Sequence, residues 1–442
     1  MNITYKNIGW QGVLVLLVML LGITGCQIED EGFPNDPTLE DITDNATVGE
    51  LNNLVSGIES GMRNRLGTYG DDVGVIGREW YRFSGSDPRF TSDLLGKGSA
   101  VLDNNTFYLT NPWYERYRVV RNANILLTAI DNTNADITDE QKTGYRAFAR
   151  TITAYQLLLN VNLLYNNGIR VEVSDPDNLG PFLDLAGSLS AIKSLLDEAA
   201  TELNSAGSEF LFNLSSGFTG FNTPATFRQF NRAIAARVAL YQGDLNGTSS
   251  ALAESFLDQM GSLDNGVYHV FSSAGGDALN PLFFAPGATG EVRIAHPSFI
   301  ADVESGDGRL GKVSIRMDTV FQDDLSGNYD VFVFTSTEAP IPMIRNEELI
   351  LIDAEVKAMN GDAGGAVTAI DIVRTAAGLG GYTGATDQAA LMDEIVNQRR
   401  YSLYGEGHRW IDLRRLNRLA ELPIDRPDDN VWLEFPRPAN EN

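Results

Sequence analysis

The sequence predicts a mainly α-helical protein of paired helices with one long loop-rich excursion, and three observations carry that prediction. Residues 346 to about 420 repeat apolar side chains at helical spacing, with glycines where the period stops. The same pattern recurs over about residues 110–260. ARVALYQGD at 236–244 is echoed by AEVKAMNGD at 354–362, with Ala, Val, Gly and Asp coinciding. Helix pairs that close at Gly-Asp and continue into an Ala-rich helix have the look of tetratricopeptide-like repeats, in which neighbouring pairs share a core.

The elements follow in chain order. Lys6 is the only charge before an apolar run from Val13 to Ile23. That run is too short for a bilayer core that needs about 20 residues. It ends in Ile23-Thr24-Gly25-Cys26, which looks like a lipobox, so residues 1–25 read as a lipoprotein signal peptide and Cys26 as the lipidated residue. Cys26 is the only cysteine, which leaves no disulfide and no thiolate metal site. Residues 26–45 hold Glu29, Asp30, Glu31, Gly32, Pro34 and Pro37 and read as an acidic, extended tether. The body then runs from 46 to 442. Val48, Leu51, Leu54, Val55 and Ile58 mark a first amphipathic helix. About 67–110 shows no sustained helical period and is expected to be loop. Helices are expected next around Trp113–Ile125, then over 140–166, 188–204, 226–242 and 249–260, the last carrying Leu252, Phe256 and Met260. Residues 262–345 scatter Gly, Pro and aromatics such as Tyr268, Phe271 and Phe299, with short β-like runs such as VFVFTS at 331–336. Loops of this length are usually functional.

In the last stretch Leu349, Ile352, Val356 and Met359 give one helix closed by Gly361. Ala366, Ala369, Ile370 and Val373 give a second closed by Gly378. Leu391, Ile395 and Leu403 give a third, ended by Gly405 and Gly407, and a fourth starts near His408. Ala354-Glu355, Val373-Arg374, Ala377-Gly378-Leu379, Arg399-Arg400, Leu403, Glu406-Gly407-His408-Arg409-Trp410, Asp412-Leu413 and Arg415 stand in an order and spacing that resemble the SusD/RagB family of surface lipoproteins. Gln398, where that family usually has Glu, and Tyr404-Gly405 depart from its pattern. The closing Phe435-Pro436-Arg437-Pro438-Ala439-Asn440-Glu441 resembles the family's ending. The fold this resemblance implies is a SusD-like α-α superhelix.

Charge and motif content narrow the chemistry. The net charge of −26 argues against nucleic acid and anionic lipid as partners. The three histidines, His269, His296 and His408, are far apart, and no zinc-protease, nucleophile-elbow or phosphate-loop motif is present. Carboxylates are abundant, so a two-carboxylate (α/α) glycosidase stays an alternative. His408, Asp412 and Arg415 lie at i, i+4 and i+7 on one helix face and read as a structural ion cluster rather than a catalytic one. DDLSGNYD at 323–330 gathers three Asp and an Asn but lacks the spacing of a calcium loop, so it reads as a solvated turn. No cofactor is expected.

Sugars offer an apolar face and a rim of hydroxyls, which aromatic platforms with neighbouring Arg, Asp or Asn can meet. Of the five tryptophans, Trp10 lies in the signal, Trp113 and Trp410 in helical periods and Trp432 in the tail between Asp429 and Glu434. Trp80 remains, with Tyr81, Arg82, Phe83, Asp87 and Arg89 around it, and this is the first ligand-site candidate, the alternative being a small buried strand. Tyr108, Phe284 and Tyr329 are further candidates. The resemblance implies a lipid-anchored, non-enzymatic outer-membrane protein facing the cell exterior. It would capture an oligosaccharide and act as a lid on a TonB-dependent SusC-type transporter docked to the helical-repeat side. The acidic Glu29–Glu31 patch resembles the surface-export signal of Bacteroidota-type lipoproteins. An oligopeptide ligand and a ligand-free interaction scaffold are the other readings.

Overall fold

The computed structural model describes residues 39–441, so Cys26, the signal and most of the tether lie outside the described residues. The chain divides after Ile42 into two units. Of the first, only the opening of helix α1 (Leu39–Asn45) is described. The second, from Thr43, is the folded body.

Helix α2 (Val48–Gly61) buries Leu51, Val55 and Ile58 and starts at a capping box, Thr47 with Glu50. Helix α3 (Leu66–Ile76) falls where the sequence suggested loop. Ten of its eleven residues are buried, Gly67, Gly70 and Gly74 among them. A helix enclosed on all sides needs no polar face, so it leaves no amphipathic period to read. Strand β1 (Trp80–Ser84), likewise buried at every position, and the single turn α4 (Arg89–Ser92) follow.

The repeats begin with α5 (Phe107–Asn132) and α6 (Asp139–Leu164), packed together, and α6 is largely enclosed from Gly144 onward. A two-residue pair, β2 (Ile169–Arg170) with β3 (Phe182–Leu183), leads into α7 (Leu185–Leu203) against α6, α8 (Pro224–Gln242) against α7, and α9 (Leu245–Ala253) against α8. Helix α9 stops earlier than the periodicity suggested. Phe256 is still buried, but Met260 is 94% exposed, because the chain turns there and Asn346 holds Asp258 and Ser262 by hydrogen bonds. The 236–244 echo is structural. Gly243 and Gly361 both take left-handed φ (73° and 80°). Asp244 and Asp362 then cap the next helix through Gly247 and Gly365 N–H, at 2.8 and 2.9 Å.

Residues 262–345 form strands linked by long loops. Strand β4 (Gly266–His269) pairs with β8 (Ile341–Arg345). Strand β5 (Glu291–Ala295) pairs antiparallel with β1 and precedes the short helix α10 (Pro297–Ala301). Strands β6 (Val313–Gln322) and β7 (Leu325–Val331) form a hairpin, and the sheet order is β1-β5-β7-β6. The strand in VFVFTS therefore ends at its first residue, Val331. The hairpin turns on Asp323 and Asp324, both left-handed (56° and 63°). Gln322 closes the sheet by bonding both the N–H and the C=O of Ser84, at 2.8 and 2.9 Å, so the first and last strands meet.

Helices α11 (Asn346–Met359), α12 (Ala363–Ala376), α13 (Gln388–Ser402) and α14 (Arg409–Arg415) end the scaffold, with the glycine stops where the sequence put them. Ile350, Ala354, Ala366, Ile370 and Val373 share a small core of their own beside the main one.

Candidate ligand groove

The residues first suggested as a site are mostly interior. Trp80, Tyr81, Phe83 and Tyr108 are 1%, 3%, 2% and 0% exposed, so none offers a ring face to a solute. Trp80 lies against Gly74, where a Cβ would stand 2.3 Å from its ring, and its Nε1 donates to Asp71 at 3.2 Å. Arg293 grips the same carboxylate through two bonds, at 2.6 and 2.8 Å. Arg82 and Arg293 both lie over the half-buried Phe284, at 4.9 and 4.6 Å. Alternating aromatics here make a buried strand, not a platform. Asp87 and Arg89 pair at the surface at 2.6 Å, and Tyr329 is half-buried on β7. The structure thus gathers Trp80, Arg82 and Phe284 about Asp71. Tyr81 goes to His296, and Tyr108 to Asp93 and Phe435.

The 323–330 aspartates go separate ways. Asp323 binds Lys97 and Arg426, while Asp330 binds Arg316 at 2.6 Å and the Gly287 N–H at 2.8 Å. Among the described residues no three His, Cys, Asp or Glu converge as a metal site.

The signature residues of the last helices form a buried ion network. Arg415 grips Glu355 at 2.5 and 2.7 Å and reaches Asp412 at 2.9 Å. Asp412 also binds Arg399 at 2.7 Å, and Arg237 grips Glu348 beside His408. Burial raises the Asp412 carboxyl, but Arg399, Arg415 and His408 outweigh it and leave it at about 2. These groups neutralise one another and hold α8, α11, α13 and α14 together. A second His constellation, Ser298–His296–Asp425 at 2.8 and 2.7 Å, has the parts of a triad. Its local geometry is a cap: the Ser298 N–H donates to His296, and Arg400 occupies the Ser298 hydroxyl at 2.7 Å.

Open space lies elsewhere, around strand β4. A cavity of about 340 Å³ is walled by Glu59 and Arg63 of the α2 end, Asn213 and Ser215, and Tyr268, His269 and Asp277. A cleft of about 440 Å³ is walled by Asp264, Tyr268, Lys312, Phe334, Pro340, Pro342, Arg345, Glu347 and Glu406. Each has a volume typical of small-ligand sites. They meet at Tyr268, which lines both, and a smaller cavity of about 40 Å³ beneath shares His269 with one and Pro342 and Glu406 with the other. Tyr268 is half-buried, and its hydroxyl donates to the Asp264 carbonyl. A register shift between Val267 and Tyr268 marks this point of the strand.

The walls are fixed. Arg63 donates to the Val270 carbonyl at 2.8 Å and pairs with Asp277 at 2.5 Å. Arg345 joins Glu406 at 2.8 Å and Glu347. Lys312 donates to the Tyr401 and Ser402 carbonyls at 3.0 and 2.5 Å. Burial pulls the Lys312 ammonium down to about 8, with Glu406 opposing. Burial, then Arg116 and Arg63, pulls His269 down to about 3, so the groove floor carries a neutral imidazole. None of the nine residues first suggested lines the groove. Tyr268 was visible in sequence only as one aromatic in the loop-rich excursion, and nothing local singled it out.

The fold defines the class first: a tetratricopeptide-like helical scaffold with a ligand-sized groove at its loop-and-strand excursion. Residues 330–431 match the model of the SusD family. The fold is that of a SusD superfamily protein from Bacteroides vulgatus (TM-score 0.68, 14% identity, 89% of this chain and 96% of that one). It is also that of surface glycan-binding protein A from Bacteroides thetaiotaomicron, solved with laminarihexaose (0.67, 15%, 89% and 97%). A laminarin-binding SusD-like protein is similar as well (0.64, 17%, 89% and 96%). No curated protein sequence matches. The family signature thus lies in the last helices, on a body that has the fold of SusD superfamily proteins.

Proposed function

We propose that this protein captures an oligosaccharide in the groove around Tyr268 and breaks no bond in doing so. The observation that carries the reading is the meeting of two ligand-sized clefts at one half-buried tyrosine, with carboxylates and a guanidinium group on each side and the Asn213 amide on one. An aromatic face for the sugar C–H surface and flanking acceptors for its hydroxyls are what glycan recognition requires. Glycan binding by proteins of the same fold, one with laminarihexaose and one with laminarin, supports the ligand class.

The finer role follows the family. Cys26 carries the lipid, the acidic tether holds the body off the outer membrane, and a SusC-type TonB-dependent transporter receives the ligand. No helix among the described residues is long and apolar enough to cross a membrane, which is compatible with a lipid as anchor.

Calorimetric titration of the purified chain with laminarihexaose, other oligosaccharides and oligopeptides tests the capture role. Tyr268→Ala is expected to lower glycan affinity at least tenfold, and Tyr268→Phe to keep most of it. Oligopeptide binding without glycan binding would replace the ligand class. Glycan binding unchanged in Tyr268→Ala would remove this groove as the site.

A further inference from the structure

The charges of the groove are unevenly available. Five carboxylates and three cations line its two limbs, a local excess of two negative charges inside a chain of net −26. The two guanidinium groups are already paired within the protein, and the ammonium is partly engaged. Arg63 is bound to Asp277, Val270 and Ser60, and Arg345 to Glu406, Glu347 and Ser402. Lys312 gives two of its three N–H groups to backbone carbonyls. The carboxylates keep accepting capacity. The Asp264 side chain is 86% exposed, with its nearest cation, Arg345, at 3.7 Å. Glu59 lines the cavity and accepts from Ser215, its N–H lying at 3.0 and 3.4 Å, with Arg63 as the nearby cation.

Resting on the capture reading, we infer that the groove selects neutral, polyhydroxylated glycans and rejects uronate-bearing or sulfated ones. A neutral sugar brings hydroxyl donors, which ionised carboxylates accept as charge-assisted hydrogen bonds. A carboxylate or sulfate on the ligand finds no free guanidinium and only the third N–H of the Lys312 ammonium, meets like charge at Asp264 and Glu59, and is repelled at range by the net field of the chain. Taking Arg345 from its partners to serve an anionic ligand would leave the Glu347 and Glu406 carboxylates, 10% and 6% exposed, under-compensated. Selection here is by rejection as much as by attraction.

The test is a binding panel on the full chain at 20 and 300 mM NaCl. Laminarin, xylan and mannan serve as neutral probes, and polygalacturonate, alginate and chondroitin sulfate as anionic ones. Binding confined to neutral probes is the expected result. Asp264→Lys, a change at an exposed position, is expected to gain anionic binding about tenfold at low salt and to lose the gain at high salt. An anionic probe bound as tightly as the best neutral one, or no anionic gain in Asp264→Lys, overturns the inference while leaving capture intact. Binding of no glycan of either kind overturns the capture reading itself.

Discussion

Replacing Glu79 by Gln should make the protein more stable at pH 8 and leave it nearly unchanged at pH 4.5. Glu79 is 2% exposed, one carboxylate oxygen accepts the Gly405 N–H at 3.1 Å, and the other has no partner. Burial lifts its pKa from 4.5 to about 7, against the Gly405 bond and the Arg409 charge. The folded state therefore holds this proton more tightly than the unfolded chain. The corresponding stability is complete below about pH 4.5 and lost as pH rises through about 7. At about 1.4 kcal/mol per pH unit, the separation amounts to roughly 3 kcal/mol by pH 8. Gln keeps an acceptor for Gly405 and has no proton to lose. Urea unfolding followed by fluorescence, with Trp80 next in the chain, gives ΔG for both proteins from pH 4.5 to 8. Subtracting the two curves removes every other titrating group. A difference that grows by about 2–4 kcal/mol over this range is expected. A flat difference would show that Glu79 stays ionised against Arg409, and the reasoning from burial would be wrong.

The other predictions concern packing and the ion network. Asp412→Asn leaves Arg399 and Arg415 under-compensated in the interior and should cost about 3–5 kcal/mol in urea unfolding. Gly74→Ala would normally relieve helix entropy, but its Cβ meets the Trp80 ring at 2.3 Å, so a loss of about 1–3 kcal/mol is expected by thermal melting. Gly364→Ala in the first turn of α12 meets nothing within 4 Å and should instead raise stability by about 0.4–1 kcal/mol. Equal signs for the two glycines would refute the steric account.

What the sequence made legible divides along physical lines. Helix α12 has one apolar face, and the glycine stops marked the ends of α11, α12 and α13 nearly to the residue, although α11 is buried over most of its length and Met359, read into its apolar face, is 43% exposed. Helix α3 and strand β1 were illegible because burial on every side erases the alternation by which an element is recognised. The same erasure bears on the Trp80 candidate. Arg, Trp and Phe close together suggested a sugar platform at Trp80, yet their polar groups are consumed by Asp71 and Glu291 inside the fold. The groove was hidden for the opposite reason. Its walls come from residues near 59–63, 213–218, 264–277, 312, 333–347 and 406, and no local pattern joins segments so far apart.

One residue of the signature ties the scaffold to the groove. Glu406 stands between Gly405 and Gly407, both at φ 82°, a conformation that other residues adopt only under strain. That backbone path lets the chain leave α13, present the Glu406 carboxylate to Arg345 at the end of β8, and enter α14 with Arg409 and Trp410. Gly405 also has Val333, a groove residue, so close that a Cβ would stand 2.8 Å away. The ions of α14 fix the helices, and the residues just before it fix the groove wall. The compact glycine-flanked run therefore does two structural jobs within a few residues. That explains why its cluster of Glu, His, Arg and Asp resembles a catalytic site in sequence while its charges are used up holding the wall against which a ligand would rest.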